Sequence, residues 1–277
     1  MLGEVPQVFC HYQTLNTYYF YAYILILINY YHYLVFWLLL FNFLHLHLNI
    51  TALLKGVIRI AHSFTFVALL NEKVTMFWYE PDVKQVEEKK AKVEDPKMLF
   101  YGSSSIRLWN TLYEDFQEYR PLNMGFGGAT LASCIVYFER LMEGLNPDII
   151  LIYAGDNDLG DGRHPEEVFI FFKQMVVDVR KRFGNIPLLF VSIKPSIRRF
   201  NIIEQIRFAN KIISSEIEHR MDENVFFINI FEAMVDSNRY PNRMLFLPEG
   251  LHMNDNGYLI WTQVIKDFMV KNNITLQ

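Results

Sequence analysis

From Met98 onward the chain alternates between short apolar runs and longer stretches whose apolar residues recur every three or four positions. The runs Met98–Tyr101, Pro121–Met124, Ile149–Ala154, Pro187–Ile193 and Val225–Asn229 have the length and continuity of strands buried on both faces. The stretches Ile106–Glu118, Leu131–Glu143, Glu166–Phe183, Ile203–Met221 and Asn256–Val270 carry the 3.6-residue period of amphipathic helices. Val83–Lys97 is charged and helix-prone and ends at the turn signal Asp95-Pro96. The segment Glu80–Lys97 carries no sign of a ligand pocket. Strands alternating with helices, with no repeat and no low-complexity linker after Pro96, predict one α/β domain: a parallel sheet covered by helices on both faces.

The first 75 residues are a different kind of sequence. No Asp, Glu, Lys or Arg occurs between Glu4 and Lys55, and aromatic residues supply 14 of the first 50 positions. Tyr18–Leu40 exceeds the roughly 20 apolar residues needed to cross a bilayer, and Lys55 and Arg59 beyond it favour a cytoplasmic C-terminal side. The stretch lacks the basic start and small-residue cleavage site of a secretory signal. Asn29, His32, Asn42, His45, His47 and Asn49 interrupt it, and its aromatics fill the middle instead of forming interfacial belts. Two readings therefore stand side by side. Residues 1–75 are a membrane segment, or they are translated A/T-rich non-coding sequence ahead of a start at Met76. In both, residues 76–277 form the α/β domain and lie in the cytoplasm, free or membrane-anchored. His45 and His47 alone make no metal site, since no third ligand stands at a sensible spacing.

Composition narrows the function. Over 277 residues, 26 basic and 30 acidic side chains leave a net charge of −4 with no basic block, which argues against a nucleic-acid partner. Two cysteines, Cys10 and Cys134, cannot form a disulfide framework or a cysteine-rich zinc site.

In an open parallel sheet, ligands bind beyond the carboxyl ends of the strands. Four polar or glycine-rich clusters fall there: Gly102-Ser103-Ser104-Ser105, Gly125-Phe126-Gly127-Gly128, Gly155-Asp156-Asn157-Asp158, and Glu249-Gly250-Leu251-His252 before the last helix. A serine on a tight strand-to-helix turn exposes its hydroxyl beside free backbone N–H groups, and Ser103, Ser104 or Ser105 suits that role. Serine is equally a common helix cap. Gly125, Gly127 and Gly128 permit close approach of backbone to a ligand or simply a tight turn. Asn157 can donate its amide N–H to an oxyanion. Asp156, Asp158 and Asp161 suit helix capping, solvent or, less readily, a magnesium ion. His252 is suited to act as general base, because imidazole exchanges protons near neutrality, and Glu249 three residues earlier can orient its ring.

Taken together, Y-G-S-S-S-I-R-L-W, N-M-G-F-G-G-A-T, Y-A-G-D-N-D and E-G-L-H-M-N resemble, in order and spacing, the four signature blocks of the SGNH (GDSL-type) hydrolases, over about Lys97 to Asn272. The resemblance implies a three-layer α/β/α sandwich, flavodoxin-like, around a five-stranded parallel sheet. It implies Ser104 as nucleophile, His252 as base, and an oxyanion hole from the Ser104 and Gly128 N–H groups and the Asn157 amide. Ser192-Ile193-Lys194-Pro195-Ser196 also resembles a stretch that follows the fourth strand in some bacterial members.

Two positions depart from the family pattern: Ser103 stands where an Asp is usual, and Glu249 replaces the Asp of D-x-x-H. Glutamate can still orient imidazole, so Glu249 is expected to complete a Ser-His-Glu triad. The expected activity is hydrolysis of small acyl esters, acetyl esters foremost, through an acyl-enzyme and without metal or organic cofactor. Phe126, Trp109, Arg107, Lys194 and Arg198 are candidates to flank the pocket. The competing classes are a non-catalytic binding module of the same fold and a membrane-tethered esterase or acyltransferase. A membrane is a partner only if residues 1–75 belong to the protein.

Overall fold

The computed structural model describes residues 76–219 and 224–276, within the unit Thr75–Gln277. The candidate span Tyr18–Leu40 and the pair His45/His47 lie outside these residues. Among the described residues no helix is long and apolar enough to cross a membrane.

Five parallel strands form the sheet: β1 (Met98–Gly102), β2 (Pro121–Gly125), β3 (Ile149–Tyr153), β4 (Leu188–Val191) and β5 (Val225–Ile228), in the order β2-β1-β3-β4-β5. The chain steps from β1 to one neighbour and then crosses to the other, which puts the topological switch point between β1 and β3. The helices are α1 (Glu80–Lys90), α2 (Ser104–Arg107), α3 (Leu112–Asp115), α4 (Leu131–Met142), α5 (Asp156–Gly160), α6 (Pro165–Phe183), α7 (Ile203–His219) and α8 (Asp255–Lys271).

Strand alternation divides the core in two. Leu99 and Tyr101 face a layer with Val83 of α1, Phe138 of α4, Phe172 of α6 and Ile206 of α7. Met98 and Phe100 face the opposite layer with Leu112 of α3, Phe116 and Trp261 and Ile265 of α8. Both strand faces are covered, which is why the strands read as continuous apolar runs and not as alternating ones. The result is the expected three-layer α/β/α sandwich.

One expected helix is broken. Ile106–Glu118 divides into α2 and α3, followed by a 3₁₀ turn at Gln117–Tyr119. Asp115 is the reason: its Oδ2 accepts hydrogen bonds from Trp109 Nε1 (2.7 Å), Thr111 Oγ1 (2.7 Å) and Thr262 Oγ1 of α8 (3.1 Å). Drawing Trp109 inward against Phe100, Tyr258 and Trp261 requires the chain to leave the helical path between α2 and α3.

β1 ends on Gly102 with φ +148°, and a Cβ there would lie 1.8 Å from the Tyr153 carbonyl oxygen. That carbonyl accepts the Ser103 N–H at 2.9 Å, so the backbones of two adjacent strand ends meet where no side chain fits. Gly102→Ala is expected to destabilise the domain by more than about 3 kcal/mol, read as a lowered urea midpoint; an unchanged midpoint would contradict this account of the β1 end.

Candidate active site

Each serine of the first cluster has a different fate. Ser103 is fully buried, and its carbonyl accepts the N–H groups of Ile106 and Arg107. Ser105 is buried too, with its carbonyl accepting the Tyr258 hydroxyl of α8 at 3.0 Å. Ser104 alone is partly exposed, and its Oγ lies 3.2 Å from His252 Nε2. As the first residue of α2, Ser104 has a backbone N–H with no acceptor inside the helix.

His252 sits on the loop that leads into α8. Glu249 Oε1 lies 2.9 Å from His252 Nδ1 and also accepts the His252 backbone N–H at 3.1 Å. A carboxylate at that distance assigns the proton to Nδ1 and leaves the Nε2 lone pair facing the Ser104 hydroxyl. The second bond, to the backbone, draws the longer glutamate back onto the loop. The extra methylene thus does not carry the carboxylate past the ring. Partial burial opposes Glu249 ionisation, but its own backbone N–H and the two His252 contacts hold its carboxyl below the usual range. The loop is latched by Leu247 N–H to His252 O (2.9 Å), Arg198 N–H to Gly250 O (3.0 Å) and the Arg243 guanidinium to Pro248 O (2.8 Å).

The second cluster is held from an unexpected direction. Asp82 of α1 accepts the Gly127 N–H at 2.9 Å, and the Tyr79 hydroxyl donates to Gly128 O at 3.2 Å. The segment Glu80–Lys97, read from sequence as uninformative about the site, therefore carries one of its supports. With the Gly127 N–H occupied, the neighbouring Gly128 N–H has no acceptor among the described residues.

Asn157 lies on α5, with Nδ2 donating to Ala129 O at 2.9 Å and Oδ1 accepting from the Arg199 guanidinium at 2.8 Å. An amide nitrogen carries two hydrogens, so one N–H remains for a ligand. Asp156 Oδ2 is shared by Lys194 Nζ at 3.1 Å and Arg199 at 3.0 Å. Burial opposes Asp156 ionisation, yet the two cations prevail and hold its carboxyl below the usual range. Asp158 Oδ2 accepts the Leu131 N–H at 2.7 Å and so caps the start of α4, the helix that follows the second cluster. Of the three carboxylates named as magnesium candidates, Asp156 and Asp158 are thus engaged within the protein, whereas Asp161 is exposed. Among the described residues no three His, Cys, Asp or Glu side chains are grouped to hold a metal.

The pocket candidates fare unevenly. Phe126 and Trp109 are buried core residues and do not line a site, and Lys194 is sealed in its ion pair with Asp156. Arg107 lies beside Asp82 (3.9 Å) near Gly127, and Arg198 is exposed. Reading the sequence missed Arg199, Asp82 and Tyr79. Arg199 has no local signal separating it from Arg198, and Asp82 looks like any acid on a solvated helix.

The family model described as GDSL-like lipase/acylhydrolase matches residues 100–260. Comparison with curated protein sequences gives no match. Among solved structures, a Streptococcus pneumonia protein provisionally named a platelet activating factor is 19% identical, with a TM-score of 0.61 over 73% of this chain and 99% of its own. A GDSL-like lipase from Bacteroides thetaiotaomicron is 19% identical, with a TM-score of 0.59 over 69% of this chain and 98% of its own. A carbohydrate esterase family 3 protein from Talaromyces cellulolyticus is 15% identical, with a TM-score of 0.51 over 63% and 96%. At these identities the likeness shows a shared fold alone.

Burial lifts the Asp158 carboxyl to about 6, against the Leu131 N–H and the Arg163 charge. Its folded value lies above the unfolded one, so folding takes up a proton between about pH 4 and pH 6. This contribution to stability is full below about pH 4 and is lost as the pH rises through 6. Asp158→Asn keeps an acceptor for the Leu131 N–H and is expected to remove that slope, raising stability at pH 7.5 by about 1–2 kcal/mol. Urea denaturation at pH 4.5 and 7.5 checks this; an unaltered pH dependence would count against it.

Proposed function

The chain belongs to the GDSL-like lipase/acylhydrolase family, and from that premise we propose that it is a serine esterase acting on small acyl esters, acetyl esters foremost. The observation that carries the proposal is one continuous relay. Ser104 Oγ lies 3.2 Å from His252 Nε2, and His252 Nδ1 lies 2.9 Å from Glu249 Oε1.

In the proposed reaction His252 Nε2 takes the Ser104 proton as Oγ attacks the ester carbonyl. Glu249 keeps the ring in the required tautomer and stabilises the imidazolium that forms. The tetrahedral oxyanion is met by the Ser104 and Gly128 N–H groups and by the second Asn157 N–H. His252 returns its proton to the leaving alkoxide, the acyl-enzyme remains on Ser104, and the alcohol departs. Water then enters. His252 removes a proton from it as its oxygen adds to the acyl carbon, and on collapse His252 returns that proton to the departing Ser104 Oγ, releasing the acid and restoring the Ser104 hydroxyl. Apart from the ester and water, each step uses only side chains and backbone of this chain, and no metal or organic cofactor enters the proposal.

The reading of the acyl group draws support from similar folds, which include an acetyl esterase whose structure contains an acetate ion and the Talaromyces cellulolyticus carbohydrate esterase. We place the reaction in the cytoplasm, since Lys55 and Arg59 favour that side beyond Tyr18–Leu40.

Hydrolysis of p-nitrophenyl acetate by the full chain tests the proposal. Ser104→Ala is expected to reduce kcat by more than about 10³ and to abolish covalent labelling by a fluorophosphonate. Activity retained in Ser104→Ala would refute it, and a folded wild-type protein with neither turnover nor labelling would favour a binding module. Glu249→Gln keeps the size but loses the charge, and is expected to lower kcat by about 10²-fold with KM little changed. Unchanged kcat would reduce the relay to a Ser104–His252 pair.

A further inference from the structure

The oxyanion site contains an amide whose orientation matters and which cannot orient itself. Rotating the end of an asparagine side chain by half a turn exchanges donor for acceptor at almost no change of shape. One orientation of Asn157 offers an N–H to a developing oxyanion, whereas the other presents lone pairs to it. We propose that Arg199 is the positioning residue that selects the productive orientation, held for that task by Asp156 and Lys194. The inference rests on the esterase reading of Ser104 and Asn157.

Arg199 donates to Asn157 Oδ1 at 2.8 Å, and a guanidinium has donors only and stays charged at all working pH values. It therefore tolerates the amide oxygen on its side and rejects the amide nitrogen. Ala129 O, which can only accept, makes the complementary choice at the other end at 2.9 Å from Nδ2. The guanidinium is itself fixed. One of its nitrogens lies 3.0 Å from Asp156 Oδ2, which also binds Lys194 Nζ at 3.1 Å.

The side chains of Arg199, Asp156 and Lys194 are only 17%, 7% and 1% exposed. Lys194 and Arg199 face the Asp156 carboxylate in a poorly solvated place, and the exposed Asp161 also interacts with Arg199. The Arg199 guanidinium, in direct contact with Oδ1, polarises the amide toward donation. The space is reserved as well: a Cβ on Gly160 would lie 2.6 Å from Arg199 Nε and 2.7 Å from its Cζ. Any larger residue there would push the planar group off its seat. A lysine at position 199 would keep the charge but not the fork that spans Asp156 and Asn157.

A residue acting through Asn157 and one touching the substrate give different kinetics, and a double-mutant cycle separates them. The full chain is assayed with p-nitrophenyl acetate as wild type, Asn157→Ala, Arg199→Ala and the double variant, with thermal melting of each. Asn157→Ala is expected to lower kcat by about 10²–10³. Arg199→Ala is expected to lower kcat by about 10-fold or more with KM within about twofold, and to add less than about threefold once Asn157 is gone. Millimolar guanidinium should restore part of the kcat of Arg199→Ala and none of that of the double variant.

Multiplicative losses in the double variant, or a loss expressed in KM, would overturn the inference and make Arg199 a substrate contact. Unchanged kcat in a folded Arg199→Ala would overturn it outright. Should Arg199→Ala not fold, Arg199→Lys retains the pairing with Asp156 and is expected to lose kcat without loss of KM; wild-type kcat there overturns the inference equally. Asn157→Ala with wild-type kcat would remove the oxyanion reading itself, and the inference with it. Loss in Asn157→Ala without loss in Arg199→Ala removes the inference alone.

Discussion

The register of the central strand is the constraint on which the rest depends. Gly102 at the end of β1 pairs with Gly125 of β2 on one side and with Tyr153 of β3 on the other. Three strands therefore end on one level of the ladder, and the three loops that leave them start side by side. Each loop contributes what its neighbours lack: a hydroxyl on the turn into α2, an N–H at Gly128 unoccupied among the described residues, and an amide on α5. A slip of one residue in any of these strands would turn every side chain of that strand to the other face, exchanging the two core layers. The apolar filling of both layers thus protects the alignment of the polar rim.

Above that frame, charge is buried in pairs. Asp158 gives its carboxylate to the Leu131 N–H and so ties α5 to the start of α4. Asp156 is enclosed by Lys194 and Arg199. A buried carboxylate without partners would cost several kcal/mol; the two cations offset that cost for Asp156, whereas for Asp158 burial outweighs the Leu131 N–H and Arg163. The arrangement favours directional stiffness over added stability. It lies immediately behind the atoms that would meet a substrate.

Much of this was legible in the sequence, for identifiable reasons. The five strands announce themselves because both faces are buried and their residues are almost uniformly apolar. The four polar clusters stand out because they follow strands or precede a helix, where chains of ordinary structural residues rarely concentrate such groups; the choice of Ser104 among three serines and of Gly128 among three glycines came only from the resemblance to the SGNH blocks. The break between α2 and α3 was not legible, since it depends on Asp115 collecting a donor from Thr262, far along the chain. Asp82 and Arg199 were hidden for the same reason. Their partners are Gly127 and Asn157, at sequence separations of 45 and 42 residues, and nothing local marks either one. Lys194 was expected to flank the pocket, and only the position of Asp156, 38 residues away, explains its burial.

The loop before α8 carries two contacts of very different reach. Glu249 and His252 are three residues apart, whereas His252 and Ser104 are separated by 148. The first contact closes a tiny loop at little entropic cost and can form whenever that turn forms. The second exists only after the whole sheet has assembled and α8 has docked beneath α2. A nascent or partly unfolded chain could thus present an oriented imidazole with nothing to activate. Under the proposed mechanism, reactivity at Ser104 is tied by chain connectivity to completion of the fold, and a half-made molecule would carry no competent nucleophile.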